Sequence, residues 1–210
     1  MLLRDPDTAA ARQTLGLSGD GPVIALLPGS RRSEVKRLAP VMLRAAKRIL
    51  QSRPSARFVI PAATDAVEAS LRQQAASSGL PIQVLRGQSQ LAMTSADVVV
   101  LASGTATLEA ALLKKPMVIT YKVAALTAWL GRGKLYLPYV GLPNVLLKRF
   151  AVPELLQENA TPEKLAQATL DWLDSPSRCE ELQKEFRALH ESLRCNASER
   201  IAEALMPYLK

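Results

Sequence analysis

The chain has 210 residues, 48% of them hydrophobic, with 27 Lys and Arg against 19 Asp and Glu for a formal charge of +8. That is enough apolar material for a globular core and excludes a disordered chain. Two cysteines, Cys179 and Cys195, without a signal-peptide pattern argue against a disulfide framework or a zinc site and for a reducing cytosol.

The N-terminal "DPDTAAARQTLG" predicts a short capped helix ending at Gly16, followed by the loop "SGDGP". From residue 23, apolar β-rich runs alternate with helical periodicity. "VIALL" (23–27), "RFVIP" (57–61), "IQVL" (82–85), "DVVVLA" (97–102) and "PMVITY" (116–121) read as strands, several without alternation, as strands covered on both faces do. Helices are expected over 33–52, 64–78, from about Gln88, and over 105–113. The first carries Val35, Leu38, Met42, Ala45, Ile49 and Leu50 at spacings of three and four. This order predicts an α/β fold, a Rossmann-like doubly wound parallel sheet, with ligands bound beyond the carboxyl ends of the strands. From "TPEKLAQATLDWLDSP" onward the sequence reads as helical, with Thr161 as N-cap and Pro162 at the first helical position. Residues 1–22 read as a linker with a short helix, 23–174 as the sheet domain and 175–210 as C-terminal helices.

Charge is uneven: residues 1–153 carry 20 Lys and Arg against 8 Asp and Glu, and residues 154–210 carry 7 against 11. The basic part faces an anion. Only nine aromatics occur and none interleaves with the basic runs, which argues against nucleic acid. Phosphorylated small molecules and an anionic membrane surface remain. No apolar stretch reaches the roughly 18–20 residues of a membrane span, because Glu109, Lys122 and Arg132 interrupt the best ones. "VAALTAWLGRGK" (123–134) has the composition of an interfacial patch, or of a core helix.

Two turns stand at the expected ligand edge. In "PGSRR", Gly29, Ser30, Arg31 and Arg32 lie between the first strand and a helix, where free N–H groups, the helix dipole and a guanidinium fork make an anion site. In "ASGTATLEA", Ser103, Gly104 and Thr105 form a second such turn, and Glu109 one helical turn beyond Thr105 could accept from both hydroxyls of a ribose. Each alone also fits an ordinary solvated or capped turn; together they favour a nucleotide. Asn144, and Glu154 with Gln157 at an expected helix start, suit a sugar or phosphate, although Asn144 also fits a plain turn. His190 stands alone in a charged helix and reads as surface. No acidic or His cluster has metal-ligand spacing.

"LLPGSRRSEV", "LASGTATLEAALLKKPMVITYK", "YVGLPNVLL", "VPELLQ" and "RCNASERIAEAL", in this order, resemble the C-terminal half of lipid-A-disaccharide synthases across nearly the whole chain. More distantly they resemble the glycosyltransferase that adds N-acetylglucosamine to make lipid II. The resemblance implies the C-terminal, donor-binding domain of a GT-B glycosyltransferase. Its expected reaction transfers 2,3-diacylglucosamine from UDP-2,3-diacylglucosamine to lipid X, giving lipid A disaccharide 1-phosphate and UDP, peripherally on the inner membrane of a Gram-negative bacterium. No cofactor or metal is implied. Arg31 is expected at the diphosphate as leaving-group stabiliser, Glu109 at the ribose, and Asn144, Glu154 and Gln157 correspond to the family's SLPN and PELLQ elements. Gly141 stands where the family usually has Ser. The family's N-terminal domain and the general base thought to reside there have no counterpart in the chain. This implies a piece of a longer, truncated or split protein, with the helices after about 175 seeking that domain, a separate N-terminal chain or a homodimer partner. The alternative is a non-catalytic UDP- and membrane-binding fragment.

Overall fold

A computed structural model describes residues 6–17, 19–122, 138–194 and 206. Six strands, β1 (Val23–Leu27), β2 (Arg57–Ala62), β3 (Ile82–Arg86), β4 (Val98–Ala102), β5 (Met117–Tyr121) and β6 (Glu154–Leu156), form one sheet in the order β3-β2-β1-β4-β5-β6. Every neighbouring pair is parallel. β1 and β4 are buried at all five positions, which explains their unalternating apolar sequences.

Eight α-helices surround the sheet among the described residues: α1 (Thr8–Thr14), α2 (Arg32–Ser52), α3 (Asp65–Ser78), α4 (Ser89–Ser95), α5 (Thr105–Leu112), α6 (Leu142–Leu147), α7 (Pro162–Leu173) and α8 (Pro176–Leu193). The chain moves from β1 outward through β2 to β3, then back past β1 to β4 and outward again through β5 to β6. Right-handed crossovers therefore place α2 and α3 on one face and α4 and α5 on the other. The reversal leaves a crevice between the carboxyl ends of β1 and β4, where both glycine turns lie.

Local signals act as read at most boundaries. Asp7 caps α1 by accepting from the Ala10 N–H at 2.8 Å, and Thr161 caps α7 by accepting from Lys164. The α2 helix runs through Pro40, which donates no hydrogen bond. Burial of Val35, Leu38, Met42, Ala45 and Ile49 on one stripe compensates for that loss.

The amino ends of β1 and β4 are closed by charge. Asp97 accepts from Arg12 Nη2 at 2.6 Å and from the Val23 N–H at 2.8 Å, so the residue before β4 binds both α1 and the start of β1. Lys115 is 7% exposed and donates to Thr8 Oγ1 at 2.8 Å and to the Ala96 carbonyl at 2.9 Å. Burial lowers its pKa to about 8, against an opposing pull from the Asp97 carboxylate.

Two expectations change. Residues 154–157 form no helix start: Glu154–Leu156 is the edge strand β6, and Gln157–Asn159 is a 3-10 turn opened by Gln157 at φ +49°. In α8, the helix beyond residue 175, Leu182, Phe186 and Leu189 join the same core as the sheet. His190 is half-buried and not alone, its Nδ1 standing 2.9 Å from Lys114 Nζ. The apolar stretch 123–134 and Cys195 lie outside the described residues.

Candidate functional site

A cleft of about 510 Å³ opens at the carboxyl edge of the sheet. Its walls are the two sequence-predicted turns, Gly29–Arg31 and Ser103–Thr105, with Glu34 and Glu109 from the helices that follow them. The end of β2 and the β3–α4 turn, Gly87–Ser89, complete it. Gly29, Ser30, Arg31, Ser103, Gly104, Thr105 and Glu109 are thus brought together in one place.

At the first corner Gly29 has φ +115°, a left-handed conformation that side chains rarely adopt. Arg31 is the N-cap of α2 and its side chain is 80% exposed, with Nη1 3.1 Å from Glu34 Oε1. The other oxygen of Glu34 accepts from the Ser30 and Arg31 backbone N–H groups at 3.1 and 3.3 Å. The guanidinium has five N–H donors, so most of its capacity faces the cleft edge unspent.

The second corner has a different finish. Gly104 is the N-cap of α5 and brings no capping side chain, so the first N–H groups of that helix have no partner from it. A Cβ at Gly104 would meet nothing within 4 Å, so the glycine leaves open space rather than relieving a clash. Ser103 Oγ donates to the Val140 carbonyl at 3.1 Å, and Thr107 Oγ1 donates to Gly104 O at 2.7 Å while accepting from the Leu142 N–H at 3.3 Å. These bonds pin the turn to the start of α6. Glu109, half-buried, lines the cleft one turn further along α5.

Asn144, Glu154 and Gln157 do not line it. Asn144 is fully buried: its Nδ2 donates to the Val152 carbonyl at 2.9 Å and to Glu154 Oε1 at 2.8 Å, and its Oδ1 accepts from the Val152 N–H at 3.0 Å. The Glu154 carboxylate also accepts from the Val140 and Gly141 N–H groups at 2.9 Å each. Expected as ligand contacts, buried Asn144 and half-buried Glu154 form a clamp that ties the 139–154 segment together beside β5. Both polar ends of the Asn144 amide are consumed inside the protein. Gly141 has its own explanation, since a Cβ there would run into Ile119 Cδ1.

The sequence reading omits Glu34, Thr107 and the Gly87–Ser89 turn. Glu34 had a signal, an acidic residue three positions after the N-cap. Thr107 and the β3–α4 turn had none, because their positions depend on tertiary placement.

A family model for lipid-A-disaccharide synthetase matches residues 1–205. The chain is 55% identical over 203 residues to the lipid-A-disaccharide synthase of Thiobacillus denitrificans, covering 97% of this chain and 54% of that protein. Against the synthase of Paraburkholderia phytofirmans it is 51% identical over 201 residues, covering 95% and 52%. The chain therefore spans about half the length of the curated relatives it matches. Among solved structures it is similar to the Neisseria meningitidis UDP-GlcNAc 2-epimerase bound to UDP-GlcNAc, with a TM-score of 0.64 and 16% identity over 95% of this chain and 48% of that one. Anabaena HepE in complex with UDP and glucose has a TM-score of 0.60 and 18% identity, covering 97% and 53%. The C-terminal CMP-Kdo binding domain of Acinetobacter baumannii WaaA has a TM-score of 0.58 and 12% identity, covering 90% and 96%. At these identities the structural likeness shows the fold, the Rossmann-like domain of the GT-B kind. The match of the family model and the close relatives carry the resemblance further: the chain belongs to the lipid-A-disaccharide synthetase family.

Proposed function

We propose that this chain is the donor-nucleotide half of a lipid-A-disaccharide synthase, and that the cleft binds UDP-2,3-diacylglucosamine by its UDP part. The observation that carries this reading is the convergence of two glycine turns at helix N-termini, Gly29–Arg31 and Ser103–Thr105, on one cleft with an exposed guanidinium and the carboxylate of Glu109. The diphosphate would lie across the two turns, with Arg31 as its charged partner, and Glu109 would accept from the ribose hydroxyls.

In the proposed reaction a hydroxyl of lipid X attacks the anomeric carbon with inversion, the bond to UDP breaks, and the hydroxyl proton passes to a general base. Negative charge accumulates on the departing diphosphate, and Arg31 with the two helix N-termini would stabilise it there. The base is proposed to belong to the part of the relatives that this chain does not match.

Exposed Phe150 (58%) and Leu146 (40%) beside Lys148 support a face turned to an anionic inner-membrane surface on the cytoplasmic side. No helix among the described residues is long and apolar enough to cross a membrane.

Calorimetric titration of UDP into the wild type and the Arg31→Ala and Glu109→Ala variants tests the site. Weaker binding in both is expected, and unchanged affinity in both would remove the reading. That the chain spans half its relatives' length favours a second reading, a binding module inactive by itself. Disaccharide formation by the chain alone would exclude that module; formation only after addition of a protein corresponding to the unmatched half of the relatives would support it.

A further inference from the structure

Glu34 has no role in the binding scheme above, yet its carboxylate organises the whole first corner. Oε2 accepts from the Ser30 and Arg31 backbone N–H groups at 3.1 and 3.3 Å, and Oε1 accepts from Arg31 Nη1 at 3.1 Å. The side chain is only 18% exposed, against 80% for Arg31. A Cβ at Gly29 would stand 2.7 Å from Glu34 Cβ. The glycine of the turn is therefore required by the closeness of the turn to Glu34, before any ligand arrives.

We propose that Glu34 is a positioning residue for the leaving-group site: it holds the Gly29–Arg31 backbone in its ligand-ready shape and restrains the Arg31 guanidinium at the mouth of the cleft. This rests on the reading of the cleft as a nucleoside-diphosphate site. Arg31 is so exposed that, without a partner, it would spread over many rotamers, and binding would have to order it. Glu34 uses one guanidinium nitrogen and two backbone donors. The other guanidinium donors, and the N–H groups of Arg32 and Ser33 in the first turn of α2, remain for an anion. A diphosphate can thus be met without expelling the carboxylate.

The test is calorimetric titration of UDP into the 210-residue wild type, Glu34→Ala, Glu34→Gln, Arg31→Ala and the Glu34→Ala/Arg31→Ala double variant, each checked for folding by its melting curve. Glu34→Ala should weaken UDP about tenfold, and Glu34→Gln less, because the amide oxygen still accepts a hydrogen bond. The double variant should lose less than the sum of the two single losses, since Glu34 acts in part through the Arg31 guanidinium and in part through the turn backbone. A loss caused by general loosening of the fold would add to that of Arg31→Ala. Additive losses, unchanged affinity, or tighter binding in Glu34→Ala, as for a carboxylate that competes with phosphate, would each overturn the proposal. Should Glu34→Ala fail to fold, Glu34→Gln alone and combined with Arg31→Ala carries the same comparison. A wild type that does not bind UDP would overturn the nucleotide reading itself, and this inference with it. If Arg31→Ala loses binding while Glu34→Ala keeps it, only this inference falls.

Discussion

At the amino ends of β1 and β4, Asp97, Arg12 and Lys115 are held by one another's field, by backbone groups and by Thr8, and α1 is fastened across them. At the carboxyl ends of the same two strands, Arg31 keeps 80% of its side-chain surface in solvent and Gly104 offers no cap to α5. The contrast separates two uses of polar groups in one sheet. Where donors and acceptors are matched internally they fix the packing of elements; where they are left over beside a cleft they are available to a ligand.

Removal of a matched group should cost stability and leave ligand binding intact. Asp97→Ala removes the ion pair of Arg12, which keeps only Ser95 O, and leaves the Val23 N–H without its acceptor, and should cost ~2–3 kcal/mol of stability in urea unfolding. The affinity for UDP should stay unchanged. A loss of UDP binding without loss of stability would show that the two ends are not separate in function.

Lys115 gives the same end a pH signature. Its pKa in the folded protein, about 8, lies below the ordinary 10.5 because burial disfavours the charged form. Below pH 8 both states hold the proton. Between about 8 and 10.5 the unfolded chain binds more protons, so this residue makes the fold more stable as pH rises. Urea midpoints of the wild type and Lys115→Met at pH 7.5 and 10 should show the wild type gaining about 2 kcal/mol relative to the variant. A relative loss would mean that Lys115 is stabilised in its charged form.

At the open end, Arg31→Ala should weaken UDP binding by ~1.5 kcal/mol, roughly tenfold, with an unchanged melting temperature. The smallest effect concerns Gly141. Gly141→Ser should cost about 1 kcal/mol, because its Cβ meets Ile119 Cδ1. Adding Ile119→Val, which removes that methyl, should recover most of the loss; an unrelieved loss would place the cause elsewhere.

Much of the fold was legible because five strands are short apolar, β-rich runs, several of them unbroken, and α2 shows its stripe at intervals of three and four. The strand β6 was not, since three residues after Pro153 are too few to show a period. The two cleft turns were legible from glycine, serine and arginine between a strand and a helix. Asn144 was misplaced because sequence shows a polar side chain but not the backbone groups of Val152 that consume it. His190 was read as lone for the same reason, its neighbour Lys114 lying 76 positions away in the chain. Glu34 was legible in spacing, but its acceptance of two loop N–H groups at once required the folded turn.

On the reading proposed above, unspent donors at the carboxyl edge of the sheet form a nucleotide site. Mapping amide chemical shifts by NMR while titrating UDP tests it most directly. Shifts concentrated at Arg31, Arg32, Ser33, Gly104, Thr105 and Ala106, with Val23, Asp97 and Lys115 unmoved, are the predicted result. Saturable shifts centred on the Asp97 and Lys115 end, or none at either turn, would contradict it.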